Sequence, residues 1–251
     1  MLKDLSYFFK KLFISEKYLL KKKILRALNK PLEPELKILH LVCDKNKASI
    51  DIGVFRGVYT YRLAELTTKV YGFEANPIMY ALLSRSLVKL KKNVEIFNLA
   101  LSDNDGTSDL KIPVRNKSLF KVNFEDYYEG GLATLEEKNN LADKKFDRFQ
   151  VITKKLDNIN FYDPVGFIKI DVEGHELSVL KGSLNFLKKN KPNLLIEINK
   201  DHSPDFQDTF KLLHDLKYKS YFYDDNQLIE IDDYYQNYRN DHKNFIFKYQ
   251  K

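Results

Sequence analysis

The sequence predicts a doubly wound α/β fold, in which helices cover both faces of a mostly parallel sheet. Three observations predict it. From Lys47 onward short β-rich runs alternate with helical stretches, the pattern of βαβ units. Two of the runs, Val165 to Ile170 and Leu194 to Ile198, are apolar almost throughout, as central strands buried on both faces are. The segment Asp51 to Gly57 sets glycines between a strand and a helix, at the carboxyl end where open α/β sheets place their ligands.

The elements follow in order. Leu2, Leu5, Phe9 and Leu12, then Leu20, Ile24 and Leu28, recur mostly at intervals of three and four, which predicts one or two amphipathic helices. Pro31 and Pro34 close that region, and Leu36 to Val42 reads as a further short helix. The basic helical N-terminal region thus occupies residues 1–46 and the α/β domain residues 47–251. Within the domain, Ala48 to Ile52 reads as a strand, Tyr59 to Leu66 as a helix, and Val70 to Glu74 as the second strand. A helix runs from Pro77 to about Leu90, and a strand from Val94 to Leu101. Asp103 to Gly106 is a polar turn and Leu110 to Val114 an added strand. Residues 115–150 are polar and irregular, which predicts a lid or substrate loop. Val165 to Asp171 is the central strand, Glu176 to Leu187 a helix, and Leu194 to Glu197 another parallel strand. Tyr218 to Tyr223, Leu228 to Ile231 and Phe245 to Tyr249 end the chain as strands, one of them antiparallel.

At 251 residues the chain buries roughly three quarters of its unfolded surface. No apolar run approaches the roughly 20 residues that span a bilayer, and Lys3, Asp4, Lys10 and Lys11 interrupt the first fifteen positions, unlike a secretory signal. A cytoplasmic protein is expected, and the single Cys43 suits a reducing compartment. The net charge of +7 is concentrated early: nine Lys or Arg lie between Lys3 and Lys30 against Asp4 and Glu16. This charge favours an anionic partner such as nucleic acid, an acidic acceptor or a membrane surface. The apolar stripe beside it predicts helices that dock on their own domain, with peripheral contact to an anionic membrane as the alternative.

The candidate site is read from three strand ends. Gly53 lets the chain turn sharply and a ligand lie close, and Asp51 is placed to accept a hydrogen bond from an ammonium group. Glu74 follows the second strand, 23 positions after Asp51, near the spacing at which a nucleotide-binding βαβ unit presents a carboxylate to ribose hydroxyls. The third strand ends at Ala100, Leu101 and Ser102, where backbone amides and a small hydroxyl suit an adenine edge. A nicotinamide cofactor would need the tighter Gly-x-Gly-x-x-Gly turn for its pyrophosphate, and the sequence lacks it. S-adenosylmethionine carries no phosphate and accepts the looser turn.

After the fourth strand the text Lys169-Ile170-Asp171-Val172-Glu173-Gly174-His175-Glu176 resembles the FkbM family of methyltransferases. So do Asp51-Ile52-Gly53 with Gly57 and Thr60, Phe73-Glu74-Ala75-Asn76-Pro77, Ala100-Leu101-Ser102, Lys155-Leu156-Asp157-Asn158 and Leu195-Ile196-Glu197, together covering about residues 48 to 200. The resemblance implies a Rossmann-like methyltransferase sheet, S-adenosylmethionine as cofactor, and O-methylation of a hydroxyl on a sugar, glycan or related natural product. It also implies a cofactor set of Asp51, Gly53, Gly57, Thr60, Glu74, Ala100, Leu101 and Ser102. One departure is visible: Val54-Phe55 stands where the family usually has Ala-Asn, which removes a polar contact at position 55.

Asp171, Glu173 and His175, just beyond the central strand, are the candidates for the base that takes the hydroxyl proton. His175 titrates nearest neutral pH when unperturbed. Glu173 has a second reading as a cap for the helix that follows it. Asp171 and Glu197 end adjacent strands and together suggest a divalent cation as an alternative means of activation. Two further classes stand beside the enzyme reading: an RNA-binding protein or RNA methyltransferase using the basic N-terminus, and a non-catalytic protein that retains the fold. No RNA-recognition signature accompanies the basic residues, so nucleic acid is not the expected partner. The expected acceptor is a small molecule or glycan, acidic or lipid-linked.

Overall fold

A computed structural model of the chain describes residues 15–29, 33–114, 128–136, 145–199, 202, 205–231 and 243–250. Helices α1 (Glu16–Leu28) and α2 (Glu35–Val42) precede strand β1 (Ala48–Ile52), helix α3 (Val58–Leu66), β2 (Val70–Phe73), α4 (Pro77–Leu90) and β3 (Val94–Phe97). The chain continues through β4 (Ala100–Leu101), β5 (Gly106–Pro113), β6 (Phe146–Lys154) and β7 (Val165–Ile170). It ends with α5 (Glu176–Lys181), α6 (Leu184–Asn190), β8 (Asn193–Glu197), α7 (Phe206–Asp215), β9 (Tyr218–Asp224), β10 (Gln227–Ile231) and β11 (Asn244–Tyr249). The first predicted stripe, Leu2 to Leu12, lies outside the described residues.

Eight strands form one sheet in the order β10-β9-β11-β8-β7-β1-β2-β3. Pairing is parallel from β3 across to β8, and β11 enters antiparallel between β8 and β9. The order reverses between β1 and β7, so a crevice opens at their carboxyl ends. Both faces are covered. Ile50, Ile52, Ile168, Ile170, Leu194 and Ile196 pack with Val179 and Leu180 of α5 and Phe210 and Leu213 of α7. On the other face Val70, Phe167 and Leu195 pack with Leu20 and Ile24 of α1, residues of α2 and α3, and Leu83 and Leu87 of α4. The described part of the basic N-terminal region therefore spends its apolar stripe on the domain.

The structure corrects the sequence reading at three places. The single strand expected from Val94 to Leu101 is two: Asn98 turns its amide onto the carbonyls of Glu74 and Ala75 at 2.8 and 3.1 Å, which ends the ladder with β2. β4 then joins a separate three-stranded sheet, β4-β6-β5. The end of the expected 115–150 loop is ordered, because β6 pairs antiparallel with β5 from Gly106↔Thr153 to Pro113↔Phe146. Residues 128–136 also lie along β5, through bridges Val114↔Tyr128 and Lys111↔Thr134; positions 115–127 and 137–144 fall outside the described residues. Finally, the helix expected from Glu176 to Leu187 breaks at Gly182. A Cβ there would sit 1.9 Å from the Ser102 carbonyl oxygen, so the break lets β4's loop approach the backbone.

Candidate active site

A cavity of about 240 Å³ opens at the carboxyl ends of β1, β2, β7 and β8, roofed by β4, β5 and residues 130–135. Its floor begins at the turn after β1. Gly53 has φ 83°, and a Cβ on it would lie 1.9 Å from the Asp171 carbonyl oxygen. Only glycine lets the β1 turn and the β7 turn touch backbone to backbone. Phe55, the residue at the family's usual Asn position, holds a left-handed φ of 47° and turns its ring toward Gly131 as part of the cavity wall.

Glu74 follows β2 and faces this turn. Its Oε2 accepts from the Phe55 N–H at 2.7 Å and its Oε1 from the Asn76 N–H at 2.9 Å. Burial pushes its carboxyl up to about 7, while the two amides pull the other way. The carboxylate lines the cavity with Gly53, Ala75, Leu99, Ala100 and Leu101. Each oxygen keeps acceptor capacity beyond its one amide, and the neighbouring surface is apolar. Those acceptors, beside an apolar wall, fit a ribose diol and an adenine ring.

Four residues expected at the cofactor lie behind the cavity wall. Asp51 is fully buried and accepts a hydrogen bond from Thr60 Oγ1 at 2.5 Å. Burial raises its pKa, opposed by the Lys169 charge. Gly57 starts α3 against Leu83 and Leu87. Ser102 is buried, its Oγ 2.9 Å from His175 Nε2.

The far end of the cavity is acidic. Asp171, Glu173, His175 and Glu197 line it together. Asp171 Oδ2 meets Lys169 Nζ at 2.7 Å. That lysine stands opposite Asp51 in the β1–β7 register, and it is almost wholly buried. Burial works to lower its pKa, but the Asp171 and Asp51 carboxylates outweigh it and hold the ammonium charged. Burial and then the Asp171 and Glu197 charges push Glu173 up to about 9, and burial with Asp171 pushes Glu197 up to about 8. Glu173 takes a left-handed φ of 51°, backbone strain of the kind found at functional sites, and its Oε2 meets His202 Nδ1 at 2.7 Å. The helix-capping role expected of Glu173 is not seen, since α5 has no side-chain cap hydrogen bond at His175; Glu176 Oε1 accepts from the Gly174 N–H, ahead of the helix, at 3.0 Å.

His175 has both ring nitrogens engaged, Nδ1 with Glu136 Oε1 at 2.6 Å and Nε2 with Ser102. Glu136 arrives on the roof segment, which Thr134 also ties down by donating to the Glu173 carbonyl at 2.7 Å. Lys169, Glu136 and His202 did not figure in the sequence reading of the site. Lys169 carried a signal, a lone charge inside an apolar strand; Glu136 and His202 carried none. Among the described residues no group of three or more His, Cys, Asp or Glu side chains is arranged to hold a metal ion. The Asp171–Glu197 pair falls short of a ligand set, and Lys169 already neutralises part of its charge.

Residues 51–220 match the family described as "Methyltransferase FkbM domain". The chain belongs to this family. S-adenosylmethionine is accordingly its cofactor, and Glu74 and the apolar slot beside it are the residues that fit it. A search of the curated proteins returned no match. Among solved structures the chain is similar to the methyltransferase FkbM from Methylobacillus flagellatus KT, at 16% identity and TM-score 0.49, covering 81% of this chain and 44% of that one. The chain thus spans under half the length of that relative. It is also similar to an O-methyltransferase from Bacillus cereus in complex with SAH, at 12% identity and TM-score 0.47, covering 98% of this chain and 97% of that one. A third similar structure, SMU.1697c from Streptococcus mutans in complex with SAH, has 14% identity and TM-score 0.46, over 88% of this chain and 98% of that one.

Proposed function

We propose that this methyltransferase acts on oxygen, methylating a hydroxyl of a sugar, glycan or related natural product. The observation that carries the reading is the acidic end of the cavity, where Asp171, Glu173 and Glu197 converge with His202 behind Glu173. Carboxyl groups there pair with neutral hydroxyls by donating or accepting. Neutral Glu173 and Glu197, with Asp171 paired to Lys169, offer no charge of their own to balance a phosphate, which weighs against an RNA backbone. The reacting sugar is expected to be neutral where it meets these acids, with any acidic or lipid-linked portion lying beyond them.

The bound cofactor supplies an electrophilic methyl group on a positively charged sulfur. The protein's part is to hold the acceptor oxygen about 3 Å from that carbon, in line with the breaking bond, and to exclude water. Forming the ether and the neutral thioether releases one proton. Glu173 takes it, and its raised pKa makes it a stronger base than an ordinary carboxylate. His202, on the second carboxylate oxygen, fixes its direction. Asp171, held in place by Lys169, would offset the positive charge of a cofactor bound in the cavity it lines. His175, bonded at both nitrogens, positions the roof through Glu136 and does not take the proton itself.

Incubating the full chain with methyl-labelled S-adenosylmethionine and a library of sugars, nucleotide sugars and cell-envelope glycans tests the reading. Label in an ether of a sugar hydroxyl is expected. Label found only on nitrogen, carbon or RNA would overturn it.

A further inference from the structure

Helix α1 has a second face that the fold does not use. Leu20 and Ile24, one turn apart, are 4% and 0% exposed against the domain. On the opposite side Tyr18, Lys22, Leu25 and Arg26 follow one another at steps of four, three and one, which puts them on one outward strip. Tyr18 is 55% exposed and Leu25 40%. Lys17, Lys21 and Lys22 are exposed with them, and none of these three, nor Arg26, pairs with a described acid. The one acid of the helix, Glu16, is engaged with Arg85 of α4 at 3.5 Å. Lys89, later on α4, adds a further exposed positive charge, and α4 is the helix on which α1 packs.

An aromatic and a leucine held in water among five cations is the composition of a membrane-surface helix. Lys and Arg meet anionic headgroups, while Tyr and Leu enter the boundary below them. A nucleic-acid surface would use the charges but gain little from an exposed leucine. We propose that the outer face of α1 docks this protein on an anionic lipid bilayer. This is peripheral contact: no helix among the described residues is long and apolar enough to cross a membrane. The proposal stands apart from the reaction assigned above, since none of these residues borders the cavity.

The test is sedimentation of the full chain with vesicles of phosphatidylcholine alone, and with vesicles containing one third phosphatidylglycerol, at low and at high salt. Binding is expected only to the anionic vesicles and is expected to weaken as salt rises. The double variant Lys22→Gln with Arg26→Gln should lower the partition coefficient about 25-fold, at about five-fold per basic residue. Tyr18→Ser with Leu25→Ser should remove the part of the binding that survives high salt. All four side chains are exposed, so unchanged melting temperatures are expected and keep the comparison clean. No binding to anionic vesicles, or equal binding by wild type and both variants, would overturn the proposal. So would a single-stranded oligoribonucleotide that binds the same face and displaces the vesicles.

Discussion

The two ends of the cavity are built on opposite principles. At the β1–β2 end, charge is scarce and geometry is over-determined: Gly53 touches the Asp171 backbone, and both Glu74 oxygens are held by amides of neighbouring turns. At the β7–β8 end three acids, Asp171, Glu173 and Glu197, line the cavity together, and two of them are pushed to about 9 and about 8. The first end is suited to holding one shape, the second to holding and releasing a proton. A fixed shape suits the cofactor; a charge cluster whose protonation can change suits the acceptor chemistry proposed above. Substitutions at the two ends should therefore fail in different ways.

The largest effect is expected at the point where the two ends touch. Gly53→Val places a branched side chain where even a Cβ collides with Asp171 and where φ is positive. Loss of measurable S-adenosylhomocysteine binding by calorimetry is expected, together with a destabilisation of roughly 3 kcal/mol or more. A folded variant that binds normally would show that the turn does not form the cofactor floor.

Next comes Glu173→Gln, which keeps the size and the His202 contact but cannot take a proton. Turnover should fall by about 10²- to 10⁴-fold while affinity for S-adenosylhomocysteine stays unchanged. In the wild type the rate should climb with pH toward about 9, because the carboxyl must be ionised to act as base. A rate independent of pH between 6 and 9, or retained turnover in the variant, would move the base elsewhere.

Glu74→Gln separates binding from chemistry in the other direction. Losing charge-assisted hydrogen bonds worth roughly 1.5–3 kcal/mol each should weaken S-adenosylhomocysteine by about ten-fold or more. Ala is the poorer substitution here, because it would orphan the Phe55 and Asn76 amides and cost stability as well. Linkage supplies a second readout. The folded pKa of about 7 lies above the ordinary value of 4.5, so the folded state binds the proton more tightly. This contribution to stability is fully present below about 4.5 and is lost as pH rises through about 7. Melting temperature measured across that window should fall in the wild type and fall less in Glu74→Gln; equal slopes would refute the raised value.

What was legible beforehand divides along similar lines. The sheet, its switch point and the residues that end its strands are written in local patterns: the apolar runs at Val165 and Leu194, the Gly53 turn, and Glu74 at its spacing. The breaks at Asn98 and Gly182 were missed because each depends on a distant partner, the Glu74 carbonyl in one case and the Ser102 carbonyl in the other. The same reason hid Glu136 and His202. Their function comes from what they meet across the cavity, His175 and Glu173, and a residue's own neighbours in sequence carry no trace of that. Asp51 shows the converse: its place in a familiar motif suggested ligand contact, whereas its side chain points into the buried layer beneath.

The smallest effect on binding, and the sharpest test of that distinction, belongs to Thr60→Val. Thr60 is fully buried and its hydroxyl donates to Asp51 Oδ2; Asp51 Oδ1 has no hydrogen-bond partner. The substitution keeps the volume of the side chain but removes the hydroxyl donor, leaving the buried acid only its contact with the Thr60 backbone. An unsatisfied buried acceptor costs about 1–3 kcal/mol, more when it carries charge, and the nearby Lys169 ammonium recovers only part of that. Melting temperature should therefore drop by several degrees. The cofactor end, by contrast, is built from the Gly53 turn and from Glu74, neither of which Thr60 touches. S-adenosylhomocysteine affinity of the folded variant should stay within about two-fold of wild type, since Asp51 and Lys169 reach Glu74 only through charge and the substitution removes no charge. If affinity instead falls in proportion to the loss seen with Glu74→Gln, then Asp51 and Thr60 belong to the binding surface after all, and the separation between framework and ligand contact at this end of the cavity fails.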